Sequence, residues 1–73
     1  MITSAQCRAA RALLDWKQVE LAEHSDVGIT AIRTFERNKT SPHRITLKAL
    51  KETFEKAGIE FIYDGGLGVK LKG

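Results

Sequence analysis

The sequence predicts a mainly α-helical fold of four to five short helices, closed by a C-terminal β-hairpin. Three observations carry it. Apolar residues recur at helical spacing from Ser4 to Ala57, interrupted by capping and turn residues. Within that stretch, Gln18 to Glu36 reads as two short helices around a tight turn, Asp26-Val27-Gly28. After Gly58 the period changes to strict alternation.

Thr3-Ser4-Ala5-Gln6 fits a capping box, with Thr3 as N-cap and Gln6 three residues on. The first helix is expected from Ser4 to Leu14, with Cys7, Ala10 and Leu14 as its buried stripe and Leu13 widening it. Arg8 should point to solvent, and Arg11 sits beside the stripe. Trp16, the largest apolar body in the chain, is expected to close the core beneath this helix. A second helix should run from Gln18 to Ser25. Asp26 follows where the turn needs a left-handed residue, which Asp tolerates. Small Ala22 lets two helix axes approach, and Val27 can plug the turn.

The third helix is expected from Ile29 to Arg37. Its inner face is Ala31, Ile32 and Phe35. Its outer face is Ile29, Thr30, Arg33, Thr34 and Arg37, which combines hydroxyls and guanidinium groups able to meet base edges and phosphates. Asn38 supplies a left-handed residue at the helix end, and Pro42 prevents continuation. The fourth helix should run from His43 to Ala57, with Leu47, Leu50, Phe54 and Ala57 as its core stripe and Ile45 near its start. Gly58 stops it.

From Ile59 the chain reads as a hairpin. A three-residue loop at Asp64-Gly65-Gly66 pairs Tyr63 with Leu67, Phe61 with Val69 and Ile59 with Leu71, and sets Glu60 opposite Lys70. A two-residue loop would oppose Phe61 to Lys70, so the first register is expected. Residues 1–58 thus form the helical part and 59–73 a tail within the same domain. A lone two-stranded hairpin is marginal in water, so it must pack on the helices or pair with another chain.

Composition excludes several classes. The chain has 73 residues and one cysteine, so an intrachain disulfide is impossible. No apolar run approaches the ~20 residues of a membrane span. No secretory signal pattern opens the chain, which suits a cytoplasmic, nucleoid-associated protein. His24 and His43 have no partner at ligand spacing, Cys7 has no histidine close in sequence, and Gly65-Gly66 does not precede a helix. No catalytic residue, metal or cofactor is therefore expected. The net charge of +3 is modest, but its placement is not even. Arg33, Arg37, Lys39, Arg44 and Lys48 cluster with Glu36 as the lone acid among them, while Asp15, Glu20, Glu23 and Asp26 gather around the second helix. That suits a polyanion partner, against the plainer alternative of a solvated surface.

Taken together, Ala10-Arg11-Ala12-Leu13-Leu14 with Trp16, then Gln18 and Glu20-Leu21-Ala22, resemble the Cro/repressor-like (XRE) helix-turn-helix family. So do Asp26-Val27, Ile32, Phe35-Glu36-Arg37 and Lys39. The resemblance covers residues 4 to 57. It implies a lambda-repressor-like bundle that binds double-stranded DNA at an inverted repeat as a two-fold dimer, most often as a repressor. It implies a phosphate contact for Gln18, base contacts for Ile29, Thr30, Arg33 and Thr34, and a phosphate grip for Arg37, Asn38, Lys39 and Thr40. It also implies an ion pair between Arg11 and Glu36. Three positions depart from the family pattern: Lys17 replaces the usual hydroxyl before Gln18, Gly28 stands at an N-cap that is often Ser or Thr, and Asp26 takes the place of the turn glycine. Lys17 could add a DNA contact, and Arg44 a further phosphate contact.

On that basis Arg33 is shaped for bidentate contact to guanine, and Ile29 or Thr30 for a thymine methyl. The plainer alternatives are a half-buried helix start for Ile29, and a surface charge paired with Glu36 or Glu20 for Arg33. If exposed, the Arg11–Glu36 pair contributes ~0–1 kcal/mol, but breaking it if buried costs ~3–5 kcal/mol. An antitoxin-like interaction protein that binds a small toxin and autoregulates is the alternative function, and a helical domain without DNA binding a third. Dimerisation could use the hairpin edge or the fourth helix.

Overall fold

Thr3 begins the first helix in the way its sequence predicts. Its hydroxyl accepts from the Gln6 amide at 3.1 Å, and Gln6 Oε1 accepts from the Thr3 amide at 3.0 Å. The computed structural model describes residues 1–39 and 42–72; Thr40, Ser41 and Gly73 lie outside the described residues. Helix α1 spans Ser4–Leu14, α2 Gln18–Ser25, α3 Ile29–Glu36 and α4 Arg44–Lys56; strands β1 (Ile59–Ile62) and β2 (Gly68–Leu71) follow. Among the described residues the helices number four.

Each helix ends for a local reason. Asp15 adopts φ 57° after α1, and Asp26 adopts φ 60° after α2. After α3, Arg37 is the C-cap and Asn38 takes φ 61°. The Asn38 amide donates to the Phe35 carbonyl and the Lys39 amide to that of Thr34, which together form a Schellman ending. The expected ends of α3 and α4 thus move inward by one residue, because Arg37, His43 and Ala57 serve as caps. Gly58 follows α4 with φ 101°, a conformation that favours glycine.

The core forms where α1, α2, α3, α4 and β1 meet, from Ile2, Cys7, Ala10, Leu21, Ile32, Phe35, Leu50, Phe54 and Ile59. Trp16 packs on its margin, stacked on His24 at 4.4 Å and 6.0 Å from Phe54. Phe61 meets Phe54 edge-on at 6.0 Å, so an aromatic row links the α1–α2 corner to the hairpin.

The hairpin has the expected register: Ile59 opposite Leu71, Glu60 opposite Lys70, and Phe61 opposite Val69. It packs on the helices, β2 against α1 and β1 against α4. Gln6 joins it to α1 through Nε2, which donates to the carbonyls of Ile62 and Gly68 at 3.3 and 3.1 Å. The ladder stops at Ile62–Gly68, so the expected Tyr63–Leu67 pair does not form. Gly65 and Gly66 both take positive φ and open the loop; Lys51 Nζ instead sits 5.8 Å from the Tyr63 ring centroid.

Three further expectations fail on burial. Leu13 is exposed, as is Ile45, which lies two residues from Leu47 and so on another face of α4. Ala31 is exposed beside the inner face of α3. Arg8 is exposed as expected, and its guanidinium also donates to the Glu36 carbonyl. No helix among the described residues is long and apolar enough to cross a membrane. Nor does any group of three or more His, Cys, Asp or Glu residues among them suit a metal ion.

Candidate nucleic-acid interface

Helix α3 is pinned on one side and open on the other. Ile32, Phe35 and Glu36 are buried, at 0%, 6% and 5% exposure. Thr30, Arg33 and Arg37 are exposed, and Ile29 and Thr34 are half-buried. Ile29 is thus the half-buried helix start of its plainer alternative, and it keeps part of its surface open. Among the described residues Arg33 makes no ion pair with Glu36 or Glu20; Glu36 pairs with Arg11 instead. The Thr34 hydroxyl accepts no such simple reading as a free base-contacting donor, because it bonds back to the Thr30 and Ala31 carbonyls at 3.0 and 3.2 Å.

The turn that sets α3 against α2 is built locally. The Asp26 amide donates to the Ala22 carbonyl at 3.0 Å. The Ser25 hydroxyl donates to the Leu21 carbonyl at 2.7 Å and accepts from the Val27 amide at 3.2 Å. Leu21 is fully buried, and half-buried Ala22 and Val27 pack on the core, as their sizes predict.

The other expected residues flank this open face in sequence. Lys17 is the exposed N-cap of α2, with its amide donating to Glu20 Oε1 at 2.9 Å. Arg37, Asn38 and Lys39 form the exposed end of α3, and Arg44 is the exposed first residue of α4. Thr40 lies outside the described residues.

Gln18 is half-buried and turned toward α3, where Nε2 donates to Glu36 Oε1 at 3.0 Å. An amide nitrogen carries two protons, so one remains for another acceptor. Glu36 is the meeting point of the helices. Arg11 Nε reaches Oε2 and Nη2 reaches Oε1, both at 2.7 Å, and Cys7 Sγ donates to Oε2 at 3.1 Å. Burial pushes the Glu36 carboxyl up, but the hydrogen bonds from Arg11, Gln18 and Cys7, with the Arg11 charge, outweigh it and hold it below the ordinary carboxylate range. The pair is of the buried kind, with side-chain exposures of 20% for Arg11 and 3% for Glu36. Arg11 Nη1 also donates to the Trp16 carbonyl at 3.0 Å, which ties the α1–α2 corner into the same network. Sequence reasoning missed Arg8 and the thiol of Cys7 in this network; only the crossing of α1 over the end of α3 reveals them.

Two short helices joined at a left-handed turn, with the second presenting hydroxyls and guanidinium groups outward, define a helix-turn-helix. A family model described as helix-turn-helix matches residues 8–60, and the chain belongs to this Cro/repressor-like (XRE) family of DNA-binding transcriptional regulators. No curated protein matches the chain.

Proposed function

We propose that the protein is a dimeric repressor that reads an inverted repeat by inserting α3 into the major groove. The observation that carries this is the two-sidedness of α3: Ile32, Phe35 and Glu36 hold one side in the protein while Thr30, Arg33 and Arg37 stand open. Arg33 takes a guanine through O6 and N7, and Ile29 or Thr30 touches a thymine methyl. Gln18, Lys17, Arg37, Asn38, Lys39, Thr40 and Arg44 supply phosphate contacts that fix the register. Thr34 acts as an acceptor or adjusts its rotamer on binding.

One chain covers a half-site, so a two-fold dimer sets two copies of α3 one helical turn, ~34 Å, apart. Exposed Tyr63, Leu67 and Leu71 favour the hairpin as the surface where copies meet; exposed Ile45 favours α4. The same hairpin surface would serve an antitoxin-like role with a small protein partner. Selection from random duplex DNA tests the proposal. Enrichment of an inverted repeat whose half-site centres lie ~10 base pairs apart supports it, and no enrichment over input refutes it. Sedimentation of Tyr63→Ser and Leu67→Ser variants tests the hairpin. These are cleaner than removing residues 59–73, since Ile59 is a core residue at 2% exposure.

A further inference from the structure

Glu36 ends α3, and α1 holds it by both main chain and side chain. The Schellman ending satisfies the carbonyls of Thr34 and Phe35, and the Arg37 amide satisfies that of Arg33. Among the described residues, no main-chain donor reaches the carbonyl of Glu36. The Arg8 guanidinium fills it through Nη1. One residue earlier on α1, Cys7 is fully buried and its thiol donates to Glu36 Oε2. With Arg11 and Gln18, the carboxylate then accepts four hydrogen bonds, which matches its lone pairs. Within α3 itself, buried Phe35 and the Schellman ending also hold the last turn. The helix has eight residues and no side-chain cap at Gly28, and helices so short are marginal alone.

We propose that Cys7 and Arg8 are positioning residues for DNA recognition: through Glu36 they lock the last turn of α3, and with it the directions of Arg33 and Arg37, before the duplex arrives. The proposal rests on the DNA-reading face described above. The thiol acts here as a hydrogen-bond donor to a carboxylate. Burial, then the adjacent Glu36, pushes its pKa far up, so it remains protonated and able to donate. A helix end without this lock must be ordered at the moment of binding, and that cost is subtracted from affinity. Arg8 has a competing role: as an exposed cation next to the phosphate-gripping loop, it could touch DNA itself. The two roles differ in salt dependence, because each phosphate contact adds about 0.9 to the slope of log K against log salt.

The test uses the full chain, the duplex selected by the wild-type protein, and three variants. Cys7→Val keeps an apolar body without the donor, Cys7→Ser restores a donor, and Arg8→Met keeps the stem without the guanidinium. Cys7→Val and Arg8→Met are expected to bind about tenfold more weakly with the salt slope unchanged, and Cys7→Ser to recover most of the loss. Without DNA, amide exchange at Arg37, Asn38 and Lys39 should quicken in Cys7→Val and Arg8→Met while α1 and α4 keep their protection. Wild-type affinity in both of these variants overturns the proposal. So does exchange that rises equally in every helix, which is global destabilisation. A salt slope lowered by about one in Arg8→Met assigns Arg8 to phosphate and removes it from the lock. A wild-type protein that selects no duplex defeats the DNA reading alone; the exchange data then decide the lock independently.

Discussion

Replacing Arg11 with alanine probes the contact on which the orientation of α3 depends. Arg11 donates to both carboxylate oxygens of Glu36 at 2.7 Å and to the Trp16 carbonyl at 3.0 Å. Alanine leaves the Glu36 charge inside the protein with the Cys7 and Gln18 donors alone. Removing one partner of a buried pair costs ~3–5 kcal/mol. A fifth of the Arg11 side chain is exposed, so water reaches part of the vacated space and the lower end, about 3 kcal/mol, applies. A domain of this length has about 4–11 kcal/mol in total. At about 4–8 °C per kcal/mol, the melting temperature should fall by about 12–24 °C, measured by far-ultraviolet circular dichroism. Glu36→Gln should cost less, because it removes the buried charge and leaves Arg11 able to reach water. The double variant should therefore melt above Arg11→Ala alone. A melting temperature for Arg11→Ala within about 4 °C of wild type, less than about 1 kcal/mol, would refute the reasoning.

Other expectations follow from the same geometry. Gly28 has φ −60° and ψ 144°, with open space where a Cβ would stand, so Gly28→Ser should cap α3 and raise stability by a few tenths of a kcal/mol; a lower melting temperature would contradict this. Arg37→Ala and Lys39→Ala should weaken binding similarly on all duplexes and each lower the salt slope by about 0.9, read by titration at several salt concentrations. The Glu36 carboxyl titrates below its ordinary value of ~4.3, so its stabilisation is complete above that pH and is lost as pH falls through the folded value. Acid melts should show this decline in the wild type and a smaller one in Glu36→Gln. The Cys7 thiol is shifted the other way, so its part of the stability is present below ~8.5 and declines as pH rises past it. Alkaline melts of Cys7→Val should lack that component.

Local chemistry made much of the fold legible. The Thr3/Gln6 capping box marked the start of α1, and Asp26 and Asn38 were readable as left-handed residues because few other residue types tolerate that conformation. The hairpin register followed from the poor alternative, which would set Phe61 against Lys70. What stayed hidden depends on how elements cross. Apolar type alone did not place Leu13 or Ile45, since neither carries a signal for what lies opposite it. Gln6 was readable as a cap through Oε1, while its Nε2 contact to the hairpin joins residues 56 and 62 positions apart. The candidate DNA face divided in the same way. The spacing of Thr30, Arg33 and Arg37 around Ile32 and Phe35 announced an open side of α3. The engagement of Thr34 with its own helix, and the capture of the α3 terminus by Arg8 and Cys7, required the tertiary arrangement.

The most direct test compares the base preferences of wild type and Arg33→Ala, each profiled against a library of random duplexes at one salt concentration. The account predicts that Arg33→Ala loses discrimination at one base pair in each half-site, by ~1–3 kcal/mol, while the rest of the profile persists. Identical profiles for the two proteins would show that α3 does not read the groove through Arg33.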